Sequence, residues 1–316
     1  MKVLVTGAGL VGCNVARLLR ERGHEAILYD RAPDQAYIDS VAKSVPVVTA
    51  DVQELSALIE TLQAHDVDTI VHSAYQIGGS LRARPYAGVR ANVDGCLALV
   101  EAARLCKVRR FLFTSSFGIY DWNRLPRAPL TEDFPLAGDN PYIASKIACE
   151  KLLESLAKSY GLEFAILRLA QVYGRGHYLG GDFAGGAVHE AIALALSGNP
   201  ARIDPGVLTV NDYVYAKDVG QGVVRACEKP LNHLIYNIGS GVLASTQDVA
   251  AAIQKAVPGA KVEILARPLI GPIWRHEQML DLDRSRKELG YRPRFDLADG
   301  VADFAAELAA GRVPPP

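Results

Sequence analysis

Three glycines, Gly7, Gly9 and Gly12, stand between a short apolar run and an amphipathic one, and this stretch constrains the fold more than any other part of the chain. Lys2–Thr6 reads as a buried strand and Val11–Arg22 as a helix. In a strand, turn, helix order each glycine has a physical job: Gly7 permits the tight turn, Gly9 lets backbone approach a pyrophosphate, and Gly12 lets helix and strand pack closely. The helix N-terminus then faces the phosphates. A second strand, Glu25–Tyr29, ends in Asp30, near the distance at which a carboxylate accepts the ribose hydroxyls of NAD. Arg31 beside it is the kind of cation that would favour the 2′-phosphate of NADP. Glycine turns also arise for packing alone, but Asp30 tips the pattern toward a dinucleotide site, and toward NAD.

The rest of the chain repeats the alternation. Apolar runs recur at Val45–Thr49, Thr69–Ser73, Phe111–Ser115 and Glu163–Leu167, with helical patterns at Val52–Ala64, Ala91–Lys107 and Tyr142–Tyr160 between or after them. Alternating strands and helices predict an α/β fold, a doubly wound parallel sheet of Rossmann type, with ligands at the carboxyl ends of the strands. After Tyr173 glycines crowd the sequence, and Gly180-Gly181 with Gly185-Gly186 read as a loop or hinge before a helical run at Ala187–Ser197. Tyr213–Tyr215, Asp218–Glu228, Leu234–Ile238 and Ser245–Val257 read as strand, helix, strand and helix. Pro258, Pro268, Pro272 and Pro293 then predict short pieces, and Pro314–Pro316 a frayed tail. The expected domains are 1–172, which binds NAD and to which 213–240 returns, and 173–316, a smaller, partly interleaved unit on the substrate side of a cleft.

The 316 residues suffice for a substantial core, and 34 basic against 35 acidic side chains, interspersed, leave no footprint for nucleic acid or an anionic membrane. Five scattered cysteines without C-x-x-C spacing predict reduced thiols and no metal site. The chain opens on its first strand and has no apolar run of the roughly 18 residues a membrane span needs, so a cytoplasmic protein without signal peptide is expected.

The sharpest chemical signal is Tyr142-Ile143-Ala144-Ser145-Lys146. Asn140 suits an N-cap and Pro141 the first helical position, which sets Tyr142 in the first turn and Lys146 one turn later on the same face. A phenol with a reference pKa of about 10 is a poor base, but a fixed cation beside it favours the phenolate. Tyr142 then takes a hydroxyl proton while the substrate carbon gives hydride to the cofactor. Two residues four apart on a surface would look the same, so the context matters. Ser116 closes the run Thr114-Ser115-Ser116 at a strand's carboxyl end, where it serves either the substrate oxygen or a turn. Ser73 and Ala74 are small enough for a cofactor to lie across the sheet edge, and His72 before them reads as a packed core histidine.

These residues resemble the extended short-chain dehydrogenase/reductase group, the NAD-dependent epimerase/dehydratase family. The resemblance includes Asp51-Val52, Asn92-Val93, Arg168 to Gly174, Tyr213 to Val219, Tyr236 to Gly241 and Leu289 to Pro293, and so runs along nearly the whole chain. It implies NAD contacts at Gly7, Gly9, Leu10, Val11, Gly12, Asp30, Asp51, Val52, Ser73, Ala74, Asn92, Tyr142 and Lys146, and catalytic roles for Ser116, Tyr142 and Lys146. It also implies a homodimer through the helices of Ala91–Lys107 and Tyr142–Tyr160.

Departures from the family pattern narrow the reaction. The glycine turn is one residue short of the usual G-x-x-G-x-x-G. Phe117-Gly118 follow Ser116 where the family's dehydratases carry an Asp-Glu pair, so no acid stands ready for a leaving hydroxyl. Asn211 stands where many nucleotide-sugar members hold the diphosphate with arginine, and Gln171 replaces their usual asparagine. Losing a bidentate cation is a large change for a diphosphate ligand. Arg175, Arg202, Arg267 and Arg275 are the candidate substitutes, with Trp274-Arg275-His276 read as lining the cleft or anchoring a loop. Gln171, Asn211 and Arg275 are the expected substrate residues. The sequence thus points to NAD-dependent oxidation of a secondary alcohol on a small sugar-like or sugar-acid substrate. A nucleotide-sugar epimerase that retains NAD is the alternative, and an NAD-sensing regulatory protein the last.

Overall fold

The computed structural model describes residues 1–124, 128–176, 184–266 and 278–310. Along its first half, β1 (Lys2–Thr6), α1 (Leu10–Glu21), β2 (Glu25–Asp30), α2 (Gln35–Val41), β3 (Val47–Thr49), α3 (Leu55–Ala64) and β4 (Thr69–His72) alternate strand with helix. Then come α4 (Gly78–Ala83), α5 (Pro85–Leu105), β5 (Arg110–Ser116), α6 (Pro141–Tyr160) and β6 (Glu163–Leu169). The second half holds β7 (Gln171–Tyr173), α7 (Ala184–Leu196), β8 (Ala201–Ile203), β9 (Asn211–Tyr215), α8 (Ala216–Glu228), β10 (Ile235–Ile238), β11 (Leu243–Ala244), α9 (Thr246–Ala256), β12 (Val262–Ile264) and α10 (Leu297–Ala309).

Seven of these strands form one parallel sheet in the order β10-β6-β5-β4-β1-β2-β3. Both of its faces are covered, and the two-residue period of a strand divides the core accordingly. Val3, Val5, Val71, Leu112 and Leu167 pack on one side with residues of α1 and α8. Leu4, Ile70, Phe111, Phe113 and Ile166 pack on the other with residues of α3, α5 and α6. The strand order reverses between β1 and β4, so a crevice opens outside their carboxyl ends, where such sheets bind ligands. A three-stranded sheet, β11-β9-β7, and a two-stranded one, β12-β8, complete the strands. A third core of Tyr173, Val188, Ile192, Tyr213, Ile253 and Phe304 joins β7 and β9 to α7, α9 and α10.

The expected short pieces after Val257 give way in part to one 13-residue helix, α10. Asp296 caps it by accepting from the Asp299 N–H at 2.8 Å, and buried Val301, Phe304 and Ala305 form its inward stripe. Gly185 and Gly186 lie in α7, which begins at Ala184, rather than in a hinge. Arg267, Pro268, Pro272, Trp274-Arg275-His276, Gly180-Gly181 and Pro314–Pro316 lie outside the described residues.

A buried ion pair fixes α6 against the sheet. Arg168 of β6 donates through Nη2 and Nε to the Glu150 carboxylate at 2.8 and 3.2 Å, with both side chains almost wholly excluded from solvent. Its Nη1 reaches the Glu132 carbonyl at 2.7 Å and the Tyr120 hydroxyl at 3.2 Å, so the segment between β5 and α6 is held by the same guanidinium. Removing one partner from a pair of this kind costs about 3–5 kcal/mol, because the other charge stays buried.

Candidate active site

The glycine turn shows why no side chain fits there. A Cβ on Gly12 would lie 1.8 Å from the Gly7 carbonyl oxygen, and one on Gly7, whose φ is +87°, would lie 2.7 Å from the Ala74 amide nitrogen. The turn therefore presses directly on the residues that leave β4. Ser73 Oγ donates to the Thr6 carbonyl at 2.6 Å and so holds this approach. Asp30 Oδ2 accepts from the Ala8 N–H at 2.8 Å, and its Oδ1 accepts from the Ala32 N–H, also at 2.8 Å. Each carboxylate oxygen keeps a further lone pair for a ribose hydroxyl.

The other expected cofactor residues gather at the same edge. Leu10 and Val11 open α1, whose N-cap is Gly9. Asp51 Oδ1 accepts from the Gln53 N–H at 3.0 Å, while Arg31 approaches Oδ2 at 3.5 Å. Arg31, the cation that raised the question of NADP, is thus directed at a carboxylate. Val52 packs beside the core of the α3 and α5 face. Asn92 is buried on α5, its amide bonded to both the N–H and the carbonyl of Gln76 at 2.6 and 3.1 Å, and it steers the chain out of β4. A backbone cradle too tight for a Cβ, ending at a helix N-terminus with Asp30 beyond it, fits a dinucleotide.

The catalytic candidates meet where β5 ends and α6 begins. Asn140 Oδ1 accepts from the Ile143 N–H at 3.0 Å and Pro141 occupies the first turn, as the sequence implies. Tyr142 is half-buried at the start of α6, and Ser116 at the end of β5 acts on its phenol, favouring the ionised form. Ser116 Oγ accepts from the Gly118 N–H at 3.1 Å, so it fills the turn role and keeps its hydroxyl proton to donate. Burial pushes the Tyr142 phenol up to about 12, and it is Ser116, rather than the expected lysine, that draws it back. Lys146 points past the phenol: its Nζ donates to the Thr114 carbonyl at 2.7 Å and stands 3.5 Å from the centroid of the Tyr75 ring. Burial lowers Lys146 to about 8, against the opposing pull of Cys96, Cys149 and Glu150.

His72 is a core histidine. It shares hydrogen bonds with Thr6 Oγ1 at 2.8 Å and Cys96 Sγ at 3.3 Å, and burial, then Lys146, lowers it to about 3, which keeps it neutral. On the substrate side, Gln171 and Asn211 lie on neighbouring strands, Gln171 in register with Tyr213. Asn211 is buried, with Nδ2 3.4 Å from Thr209 Oγ1 and no hydrogen-bond partner for Oδ1 among the described residues. Asp212 beside it is structural: its carboxylate accepts from the N–H groups of Ser240, Gly241 and Leu280. Arg275 lies outside the described residues. Sequence reasoning did not single out Tyr75, Ser145 or Asp212; an aromatic residue directly after Ser73-Ala74 was the available hint for the first.

This fold, with its glycine cradle and the carboxylate beyond it, fits an enzyme built on a dinucleotide cofactor. A family model, NAD dependent epimerase/dehydratase family, matches residues 3–239. A UDP-glucose 4-epimerase of Mycolicibacterium smegmatis is 32% identical over 310 residues, covering 96% of each chain. Among solved structures, a UDP-glucose 4-epimerase from Thermotoga maritima with UDP-glucose superposes with a TM-score of 0.87 at 25% identity, over 98% of this chain and 99% of that one. A Thermus thermophilus UDP-glucose 4-epimerase complexed with NAD gives 0.83 at 29% identity, over 97% and 98%. The chain belongs to the NAD-dependent epimerase/dehydratase family and is an NAD-dependent enzyme of the dehydrogenase or epimerase kind. Among the described residues no helix is long and apolar enough to cross a membrane.

Substituting Gly12→Ala should weaken NAD binding in calorimetry by about tenfold or more, since the turn must shift to admit the methyl group. Unchanged affinity in a folded variant would mean that the turn does not hold the cofactor.

Proposed function

We propose that the chain oxidises a secondary hydroxyl of a sugar-like or sugar-acid substrate, with Tyr142 as base and Ser116 as partner of the substrate oxygen. The observation that carries this reading is the meeting of Ser116 and Tyr142 at the carboxyl end of β5, with Lys146 buried one turn along α6. The glycine turn, Asp30, Asp51 with Val52, Ser73 with Ala74, Asn92 and Lys146 are the residues that would hold NAD. When bound, NAD supplies the hydride acceptor. Residues 1–172 with 213–240 form the cofactor side on this reading, and 173–316 the substrate side.

Tyr142 performs the proton work. A phenol near 12 is protonated at neutral pH, so positive charge must gather around it before it serves as a base. Ser116 contributes by favouring the phenolate. Lys146 contributes charge while it is an ammonium, a form that prevails below about pH 8 and fades above it. Asn211 supports a substrate without a diphosphate, because a neutral amide stands where nucleotide-sugar members commonly carry arginine. The full-length likeness to UDP-glucose 4-epimerases supports the second reading, epimerisation of a nucleotide sugar with the same residues. A sensor that binds NAD without chemistry needs neither Tyr142 nor Lys146 and ranks below both.

The test is to incubate the protein with NAD and separate free sugars, sugar acids and UDP-sugars, following NADH absorbance and the configuration of the products. Stoichiometric or greater NADH from a free sugar or sugar acid supports the proposal. An inverted centre in a UDP-sugar without that absorbance replaces it with the epimerase. Tyr142→Phe should retain NAD and lose turnover by about 10²–10⁴-fold; full turnover would remove Tyr142 from the chemistry.

A homodimer through α5 and α6 is part of the same reading. Tyr86, Leu97, Leu105, Leu152 and Tyr160, five of the eight large apolar side chains exposed among the described residues, lie on these two helices. Light scattering should show the wild-type chain at twice its monomer mass and Leu152→Glu shifted toward the monomer. A monomeric wild type would refute the dimer.

A further inference from the structure

Tyr75 touches both members of the Tyr142 and Lys146 pair. Tyr75 follows β4 in the loop that Asn92 steers, and its ring is partly buried against the α5 and α6 face of the core. The Lys146 ammonium lies 3.5 Å from the centroid of this ring and 4.5 Å from that of Phe113. The same ring meets Tyr142 edge to face, with centroids 5.9 Å apart and planes at 81°. Its hydroxyl donates to Ser145 Oγ at 2.9 Å, and Ser145 Oγ donates onward to the Tyr142 carbonyl at 2.8 Å.

The buried ammonium needs compensation, and beyond the pull of Cys96, Cys149 and Glu150 no carboxylate among the described residues hydrogen-bonds it. Its hydrogen bond goes to a neutral carbonyl, Thr114, and Glu150 on the next turn of α6 is engaged by Arg168. An aromatic face attracts a cation through its quadrupole, and more strongly where water is excluded. A phenylalanine would offer the same face but not the hydroxyl that fixes the ring to the first turn of α6.

We propose that Tyr75 is a positioning residue: its ring carries the Lys146 ammonium, and its hydroxyl, through Ser145, fixes that ring relative to the backbone of Tyr142. Its consequence for turnover rests on the reading of Tyr142 and Lys146 as the proton-transfer pair, but the contact can be tested without substrate. Besides Tyr75 itself, the titratable groups that face Lys146 are His72 of β4, Cys96 of α5, and Cys149 and Glu150 of α6, and the variants below leave those four in place.

The experiment is carbon and proton NMR of the full chain labelled at lysine, with the Lys146 side-chain signal assigned by its loss in Lys146→Met. In the wild type the Lys146 ε-protons should be displaced upfield by the Tyr75 ring, show Overhauser contacts to it, and titrate near pH 8. Tyr75→Phe should keep the upfield displacement. Tyr75→Leu should lose it and lower the titration midpoint by about one pH unit, a tenfold change in the ionisation constant. An unchanged or raised midpoint in Tyr75→Leu overturns the proposal. Should that variant unfold, the wild-type spectrum decides: an undisplaced Lys146 signal without contacts to the Tyr75 ring refutes the proposal. Failure of the Tyr142→Phe turnover test would instead overturn the catalytic reading and leave this result standing.

Discussion

A lysine ammonium held almost out of reach of water is the constraint on which the site depends. Lys146 is 4% exposed, and an unpaired charge in such a place costs several kcal/mol unless its surroundings answer it. A carbonyl at the end of β5 and two aromatic faces provide that answer, with Thr114, Phe113 and Tyr75 coming from β5 and the loop after β4. The arrangement works only if α6 lies at one height against the sheet. Arg168 and Glu150 set that height from beneath, one turn further along the helix, while the Asn140 cap and Pro141 set where the helix begins.

The same sheet edge forms the proposed cofactor cradle by a different means. At the glycine turn the requirement is closeness, with backbone against backbone, and Gly7 and Gly12 meet it by having no side chain. At α6 the requirement is a charged group in a dry place. The two meet across β4: Ser73 and Ala74 are pinned to the glycine turn, and Tyr75, the next residue, reaches α6. Three successive residues after one strand therefore link the glycine turn to Tyr142 and Lys146, the proposed proton-transfer pair.

Local signals made much of this legible in the sequence. The period of apolar residues located the strands of the main sheet, and the N-cap and Pro141 located the start of α6 to within a residue. Elsewhere competing cues conflict: Pro293 stands close before the Asp296 cap and the 3.6-residue stripe of α10, and Gly185 and Gly186 obscure the start of α7. The direction of Lys146 is a different matter. Spacing places it on the face of Tyr142, but its ammonium turns to Thr114 and to Tyr75, which lies 71 positions earlier in the chain. The burial that raises the phenol of Tyr142 is likewise a sum over elements distant in sequence. A four-residue spacing carries no information about either.

On the proposed reading, substrate choice turns on a smaller feature, the neutral Asn211 buried at the start of β9. An amide can hydrogen-bond a sugar hydroxyl but cannot neutralise a phosphate. The chemistry itself turns on the position of the reacting oxygen. The most direct measurement is a crystal structure of the chain with NAD and the substrate that it turns over. The account predicts the reacting oxygen within hydrogen-bond distance, about 3 Å, of both Ser116 Oγ and the Tyr142 hydroxyl. A reacting oxygen bound away from both would contradict it.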